Sequence, residues 1–132
     1  MSNFAADIAR FATKVGISLD AAHSKICLDL FRSLVMKSPV DTGRFRGNWQ
    51  IGVGDINLDT SGAVDKAGGR VLANGTMTLL AVKAGGIIYL TNSLPYAIRL
   101  EYGSSQQAPQ GMVRITMVEH RSNLTSILAG LN

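Results

Sequence analysis

An α+β domain, with long helices packed on a small antiparallel sheet, is predicted by three features of this sequence. Residues 2–37 carry two successive apolar stripes at helical spacing. Two short runs, at about 47–54 and 87–91, alternate or concentrate β-branched and aromatic residues. Clusters of proline, glycine, serine and Asx residues separate the segments, and no internal repeat is visible. The 132 residues fit a single domain. A chain of this size buries roughly two thirds of its unfolded surface, enough for a core without disulfide or metal staples.

Phe4, Ile8, Phe11, Ala12 and Val15 share one face of a helix over 2–15, with Ser2 as cap and Gly16 as stop. Residues 1–17 read either as part of the domain or as a peripheral arm. A second helix runs from the Ser18 cap to Lys37. Its stripe is Leu19, Ala22, Ile26, Leu30 and Leu34, widened by Cys27, Phe31 and Val35. Pro39 disfavours helical geometry at Ser38 and ends it. Ser38-Pro39-Val40-Asp41-Thr42-Gly43 is a turn: proline fixes φ, Asp41 and Thr42 can accept from nearby N–H groups, and Gly43 supplies positive φ.

Trp49, Ile51 and Val53 alternate with Gln50 and Gly52 in a strand over about 47–54. Segment 63–82 fits two structures. Asn74-Gly75 has the chemistry of a two-residue hairpin turn. Val64, Gly68, Val71, Gly75, Leu79 and Val82 form a helical stripe, with Thr60 or Ser61 as cap and Gly85-Gly86 as stop. Each internal glycine costs a helix about 1 kcal/mol. Ile87–Thr91 is a strand. Pro95–Tyr102 is a short helix closed by Gly103. Residues 104–111 form a polar loop. Met112, Ile115, Val118, Leu124, Ile127, Leu128 and Leu131 mark a C-terminal helix with a break expected near Ser122.

Composition excludes several classes. The apolar fraction of 46% and net charge of +4 argue against disorder. Cys27 is the only cysteine, so no disulfide framework exists within the chain. No apolar run approaches the roughly 20 residues of a membrane span, and the N-terminus lacks the basic flank of a signal peptide. A soluble intracellular protein, assembled in a reducing compartment, is expected.

The chemistry of an enzyme is not legible. Only His23 and His120 are available as imidazole bases, and there is no G-x-S-x-G elbow. His23 and Cys27 lie four apart on one helix, but two ligands do not close a zinc site. Asp55–Asp59 imitates the start of a calcium loop, yet Thr60 stands where glycine is required and Lys66 where the bidentate glutamate belongs. Gly52 and Gly54 open a dinucleotide fingerprint that Asn57 breaks. Asn74-Gly75-Thr76 and Asn123-Leu124-Thr125 match glycosylation acceptors without any sign of secretion. No enzyme, metal or cofactor is therefore expected.

The basic excess is dispersed. No two Lys/Arg are adjacent, and the net charge is +1 over residues 1–61 and +3 over 62–132. Arg44 and Arg46 beside Trp49 could contact phosphate or stack a base, which keeps a small nucleic-acid-binding module as the alternative function. Against this, the arginines can pair with carboxylates while Trp49 belongs to the core.

Two stretches are specific enough to carry a resemblance. One is Ser38-Pro39-Val40-Asp41-Thr42-Gly43-Arg44-Phe45-Arg46-Gly47-Asn48-Trp49-Gln50. The other runs from Ile88-Tyr89-Leu90 through Leu94-Pro95-Tyr96-Ala97-Ile98-Arg99-Leu100-Glu101-Tyr102-Gly103 to Ser105 and Gln107-Ala108-Pro109-Gln110-Gly111-Met112-Val113. Together they resemble the tail-completion or neck proteins of tailed double-stranded DNA phages, a family that includes lambda-like minor tail components. The resemblance covers nearly the whole chain.

It implies a structural virion protein at the head–tail junction, assembled in the host bacterial cytoplasm. By analogy the chain would form a homo-oligomeric ring, a hexamer, around the DNA channel without sequence-specific binding. A head–tail connector on one side and a tail terminator or tube protein on the other would be its partners, with no role for a membrane. It also implies a helical insert between the strands, which tips 63–82 toward helix. The glycine content and Asn74-Gly75 depart from that pattern and leave a hairpin, or a loop ordered on assembly, open.

The motif residues Pro39, Asp41, Thr42, Gly43, Arg44, Arg46, Trp49, Tyr96, Glu101, Tyr102 and Gly103 are expected to be architectural. Arg44 and Arg46 should project to one face of the first strand. Glu101, the only carboxylate between Asp65 and Glu119, is expected to pair with one of them. Ser105, Gln106, Gln107, Pro109, Gln110 and Met112 form the expected contact surface. The open edges of so small a sheet offer a place where a neighbouring subunit can add a strand.

Overall fold

The computed structural model describes residues 10, 13, 19–83 and 86–129. The elements are α1 (Leu19–Lys37), a 3-10 turn (Arg46–Asn48), β1 (Gln50–Val53), α2 (Gly69–Leu80), β2 (Ile88–Thr91), α3 (Ala97–Glu101) and α4 (Val113–Ala129). The class is α+β, with helices packed against a two-stranded antiparallel sheet. Of the helix expected over 2–15, only Arg10 and Thr13 are described, both helical. The Gly16 stop, the Ser18 cap and Gly85 lie outside the described residues.

Of the apolar stripe of α1, the core-facing part lies toward the Phe31, Leu34 and Val35 side, while Ile26, Cys27 and Leu30 are half-buried. Ala22, Phe31, Leu34 and Val35 are buried. The helix ends at Lys37, where Ser38 turns its hydroxyl back to the Leu34 carbonyl at 2.7 Å. Phe31, Leu34 and Val35 meet Phe45, Trp49, Val71, Leu94, Ala108 and Met112 in one core. β1 and β2 pair with Gln50 opposite Thr91 and Val53 opposite Ile88. The strand expected over 47–54 is shorter, because residues 46–48 coil into a 3-10 turn before it begins.

Segment 63–82 resolves as a helix, α2, that starts at Gly69 and not at Thr60 or Ser61. Asn74-Gly75 lies inside it and forms no hairpin. Val71, Gly75 and Leu79 are its buried face. Gly75 is required by packing: a Cβ there would stand 2.5 Å and 2.9 Å from ring carbons of Phe31. The glycine lets α2 cross α1 at close range, and that contact outweighs its poor helix propensity. α4 is continuous from Val113 to Ala129, so the break expected near Ser122 is absent.

Gly75→Ala places a methyl against a ring that is 1% exposed and cannot retreat. Overpacking costs about 1–3 kcal/mol, against a propensity gain of about 1 kcal/mol. A net loss is expected in urea unfolding. Gly69→Ala, where nothing lies within 4 Å of the added carbon, is expected to stabilise by about 0.4–1 kcal/mol.

Candidate functional site

The turn after α1 is built around Arg46. One terminal nitrogen, Nη1, donates to the Lys66 carbonyl at 2.8 Å. The other, Nη2, donates to the carbonyls of Met36 and Ser38 at 3.1 and 3.0 Å. One guanidinium thus closes the C-terminus of α1 and ties it to the segment entering α2. Trp49 is buried and gives its indole N–H to the Ser38 hydroxyl at 2.6 Å. Arg44 donates through Nε to the Ser61 carbonyl at 3.2 Å. The arginines and Trp49 therefore serve the fold and do not form a stacking surface. Thr42 accepts from the Arg44 N–H as expected, whereas Asp41 is exposed and makes no bond among the described residues.

Gly43 has φ +92° and accepts at its carbonyl from Asp65 N–H at 2.9 Å. A Cβ on it would lie 2.6 Å from the Lys66 nitrogen. Asp65 in turn accepts from Gly68 N–H at 3.0 Å and Val71 N–H at 2.9 Å, so its carboxylate caps α2 from outside. Asn48, fully buried, bridges the carbonyls of Arg44 and Ser61 and accepts from Ser61 N–H.

The second motif closes on the first. Gln107 makes a two-way amide pair with Val40, accepting from its N–H at 2.8 Å and donating to its carbonyl at 3.0 Å. Asn92 donates to the Phe45 carbonyl at 2.9 Å. The Phe45 ring lies 6.0 Å from Trp49, edge-on, and 5.9 Å from Tyr96. Between the motifs is a cleft of about 230 Å³, lined by the Pro39–Phe45 turn together with Tyr96, Leu100, Ser105 and Gln107.

Glu101 pairs with neither Arg44 nor Arg46. Its Oε1 accepts from the N–H groups of Met112 and Val113, both at 2.8 Å, and Oε2 from Arg114 N–H at 3.0 Å. The Arg114 side chain adds an ion pair at 3.2 Å and a second bond to the Glu101 carbonyl. Glu101 is therefore the N-terminal cap of α4, a helix whose own preceding residue, Met112, has no polar side chain to offer. Burial works to raise its carboxyl pKa. The N–H groups of Val113, Met112 and Arg114, and then the Arg114 side chain, outweigh burial and hold it below the ordinary value. Gly111, at φ +79°, is obligatory here because a side chain would run into Glu101.

The expected contact surface divides. Met112 is 1% exposed and belongs to the core, so it offers no interface. Gln107 spends its amide on Val40, and the Ser105 hydroxyl accepts from Gln107 N–H. Gln106, Pro109 and Gln110 remain exposed. Gly103, at φ +91°, packs against Pro109, while Tyr102 is exposed beneath the Arg114 guanidinium at 5.1 Å. His23 and Cys27 lie 3.8 Å apart, and burial pushes the thiol pKa up. Asp55–Asp59 is a solvated turn in which Asn57 accepts from Asp59 N–H.

Sequence reasoning missed Asn48, Asp65, Asn92 and Arg114. Asn48 and Asn92 do stand inside the motif stretches, and Asn92 carries a second signal as a polar residue near the start of the short helix, where it accepts from Leu94 N–H at 3.3 Å. No match to this chain was found among protein-family models, curated proteins or solved structures.

Arg46→Lys keeps the charge but loses the planar fork that reaches three carbonyls. It is expected to destabilise by about 0.5–1.5 kcal/mol in chemical denaturation, since charge-assisted bonds to three carbonyls, of which that of Ser38 is partly buried, are weakened. For Glu101 the folded pKa is depressed, so its stabilisation is present above about pH 4.5 and is lost as pH falls through the folded value. Glu101→Gln should cost about 1–3 kcal/mol at neutral pH. The gap to the wild type should narrow in thermal melts taken at progressively lower pH.

Proposed function

We propose that this chain is a structural virion protein of a tailed double-stranded DNA phage, acting at the head–tail junction by assembly. It joins a head–tail connector to a tail terminator or tube protein as a homo-oligomeric ring, a hexamer by analogy, that surrounds or adjoins the DNA channel. Virion assembly in the host bacterial cytoplasm goes with that role.

The observation that carries the reading is the closure of the two family-like stretches on each other, through Gln107 with Val40 and Phe45 with Tyr96. Residues that resemble one family in two separate parts of the chain act as one structural unit. The outer surface supports it as well. Ile98, Tyr102, Val113, Met117 and Val118 are exposed large apolar side chains from α3, the residue after it, and α4. Exposed apolar side chains of this kind are suited to burial against another subunit.

Purified protein mixed with tail-less or tail-defective particles and imaged by electron microscopy tests this. Added density at the neck or at the upper end of the tail is expected. Absence from both positions overturns the proposal.

A further inference from the structure

The two edges of the sheet differ. Gly54 N–H donates to the Ile87 carbonyl at 2.9 Å, which sets the phase of the ladder. In antiparallel pairing the bonded pairs alternate, so Gly52 with Tyr89 and Gln50 with Thr91 exchange bonds across the sheet. The peptide groups of Ile51 and Val53 then face out from β1, and those of Ile88 and Leu90 face out from β2.

The β1 edge is partly closed by its own loop. Asn57 directs its amide to the Ile51 carbonyl at 3.5 Å. The β2 edge has no such cover: the outward N–H and C=O groups of Ile88 and Leu90 have no partner among the described residues. Proteins usually blunt such an edge with a charge, a proline or a bulge. Here no charged residue occurs between Lys83 and Arg99, no proline between Ile87 and Leu94, and the register is unbroken.

We propose that β2 pairs antiparallel with β2 of a second copy of this chain, extending the sheet to the order β1-β2-β2-β1. An occupant must be an extended segment with its own outer N–H and C=O groups free. β2 is the strand that meets that condition in full among the described residues, whereas on β1 the Ile51 carbonyl already takes the Asn57 amide. Being uncharged, β2 meets itself without like-charge repulsion. Ile88 and Leu90 of one copy exchange hydrogen bonds with Leu90 and Ile88 of the other. Tyr89 then faces Tyr89 across the two-fold axis, in the closely spaced non-bonded position. Leu90 packs against the core, so Tyr89 points to the opposite face of the sheet. The contact is isologous and closes as a dimer. It rests on the sheet and not on the phage reading; being isologous, it describes the free protein and is not a contact of the proposed ring, which needs a heterologous one.

The full chain is measured by sedimentation over a range of concentrations, and cross-linking is read in a Cys27→Ser background. A reversible dimer is expected for the wild type, with Kd raised at least tenfold in Tyr89→Lys. Facing residues in a non-bonded pair have Cα atoms about 4.5 Å apart, within reach of a disulfide. Tyr89→Cys should therefore give a disulfide-linked dimer under mild copper-catalysed air oxidation, and Val53→Cys should not. Circular dichroism confirms that each variant is folded. A monomer at every concentration, or no preference for position 89 over 53 in cross-linking, overturns the proposal. So does a dimer indifferent to Tyr89→Lys.

Discussion

The end of α1 sets the terms for the rest of the molecule. A helix that stops against a proline leaves carbonyls without partners, and buried carbonyls must find donors. Arg46 meets that need for Met36 and Ser38 and uses its remaining arm on Lys66. Its position fixes where the chain can run next. The 3-10 turn that carries Arg46 holds Trp49 under Ser38, and β1 begins only after that turn is complete. The cost is visible in the same side chain, whose buried Nε has no partner among the described residues. Three carbonyl bonds to a charged donor offset one unmade bond.

The same economy recurs at the two other helix starts that adjoin the motifs. Neither Gly68 before α2 nor Met112 before α4 has a capping side chain. In each case a carboxylate from an earlier segment supplies the acceptor, Asp65 for α2 and Glu101 for α4. A cap supplied from a distance does more than end a helix. Asp65 is itself anchored to Gly43, so α2 is oriented by the turn. Glu101 ends α3, so α3 and α4 are fixed relative to each other. Gly43, Gly111 and Gly75 are the points where a side chain would prevent these approaches.

The elements themselves were largely legible in the sequence. The long apolar stripe of α1, the branched run of β2 and the short helix after Pro95 all appear where periodicity and turn chemistry put them. The undecided segment was α2, because Asn-Gly is good hairpin chemistry and poor helix chemistry. The Phe31 ring, more than forty positions upstream, and the Ile51 side chain give Gly75 its reason. The partner of Glu101 was illegible for a different cause. Charge counting looks for an opposite charge, whereas its main partners are backbone N–H groups that leave no mark in the sequence. Met112 had two readings, the start of the apolar C-terminal stripe and part of the contact surface beside the polar loop, and its place in the core bears out the first and not the second. Asn48 had no pattern to betray it, since a single buried amide has no periodicity.

What the motifs leave outside follows from what they use inside. Arg46, Asn48, Gln107 and Glu101 are polar side chains of these stretches whose bonds are spent within the fold. If the chain assembles as proposed, the contacts would draw mainly on groups of another kind: apolar side chains on α3 and α4, and the backbone groups of β2. Neither depends on long-range charge, so association through them should respond weakly to salt. A dispersed net charge of +4 fits that arrangement. It leaves the approach of partners without strong electrostatic steering, and the selectivity of contact to shape, apolar burial and strand register.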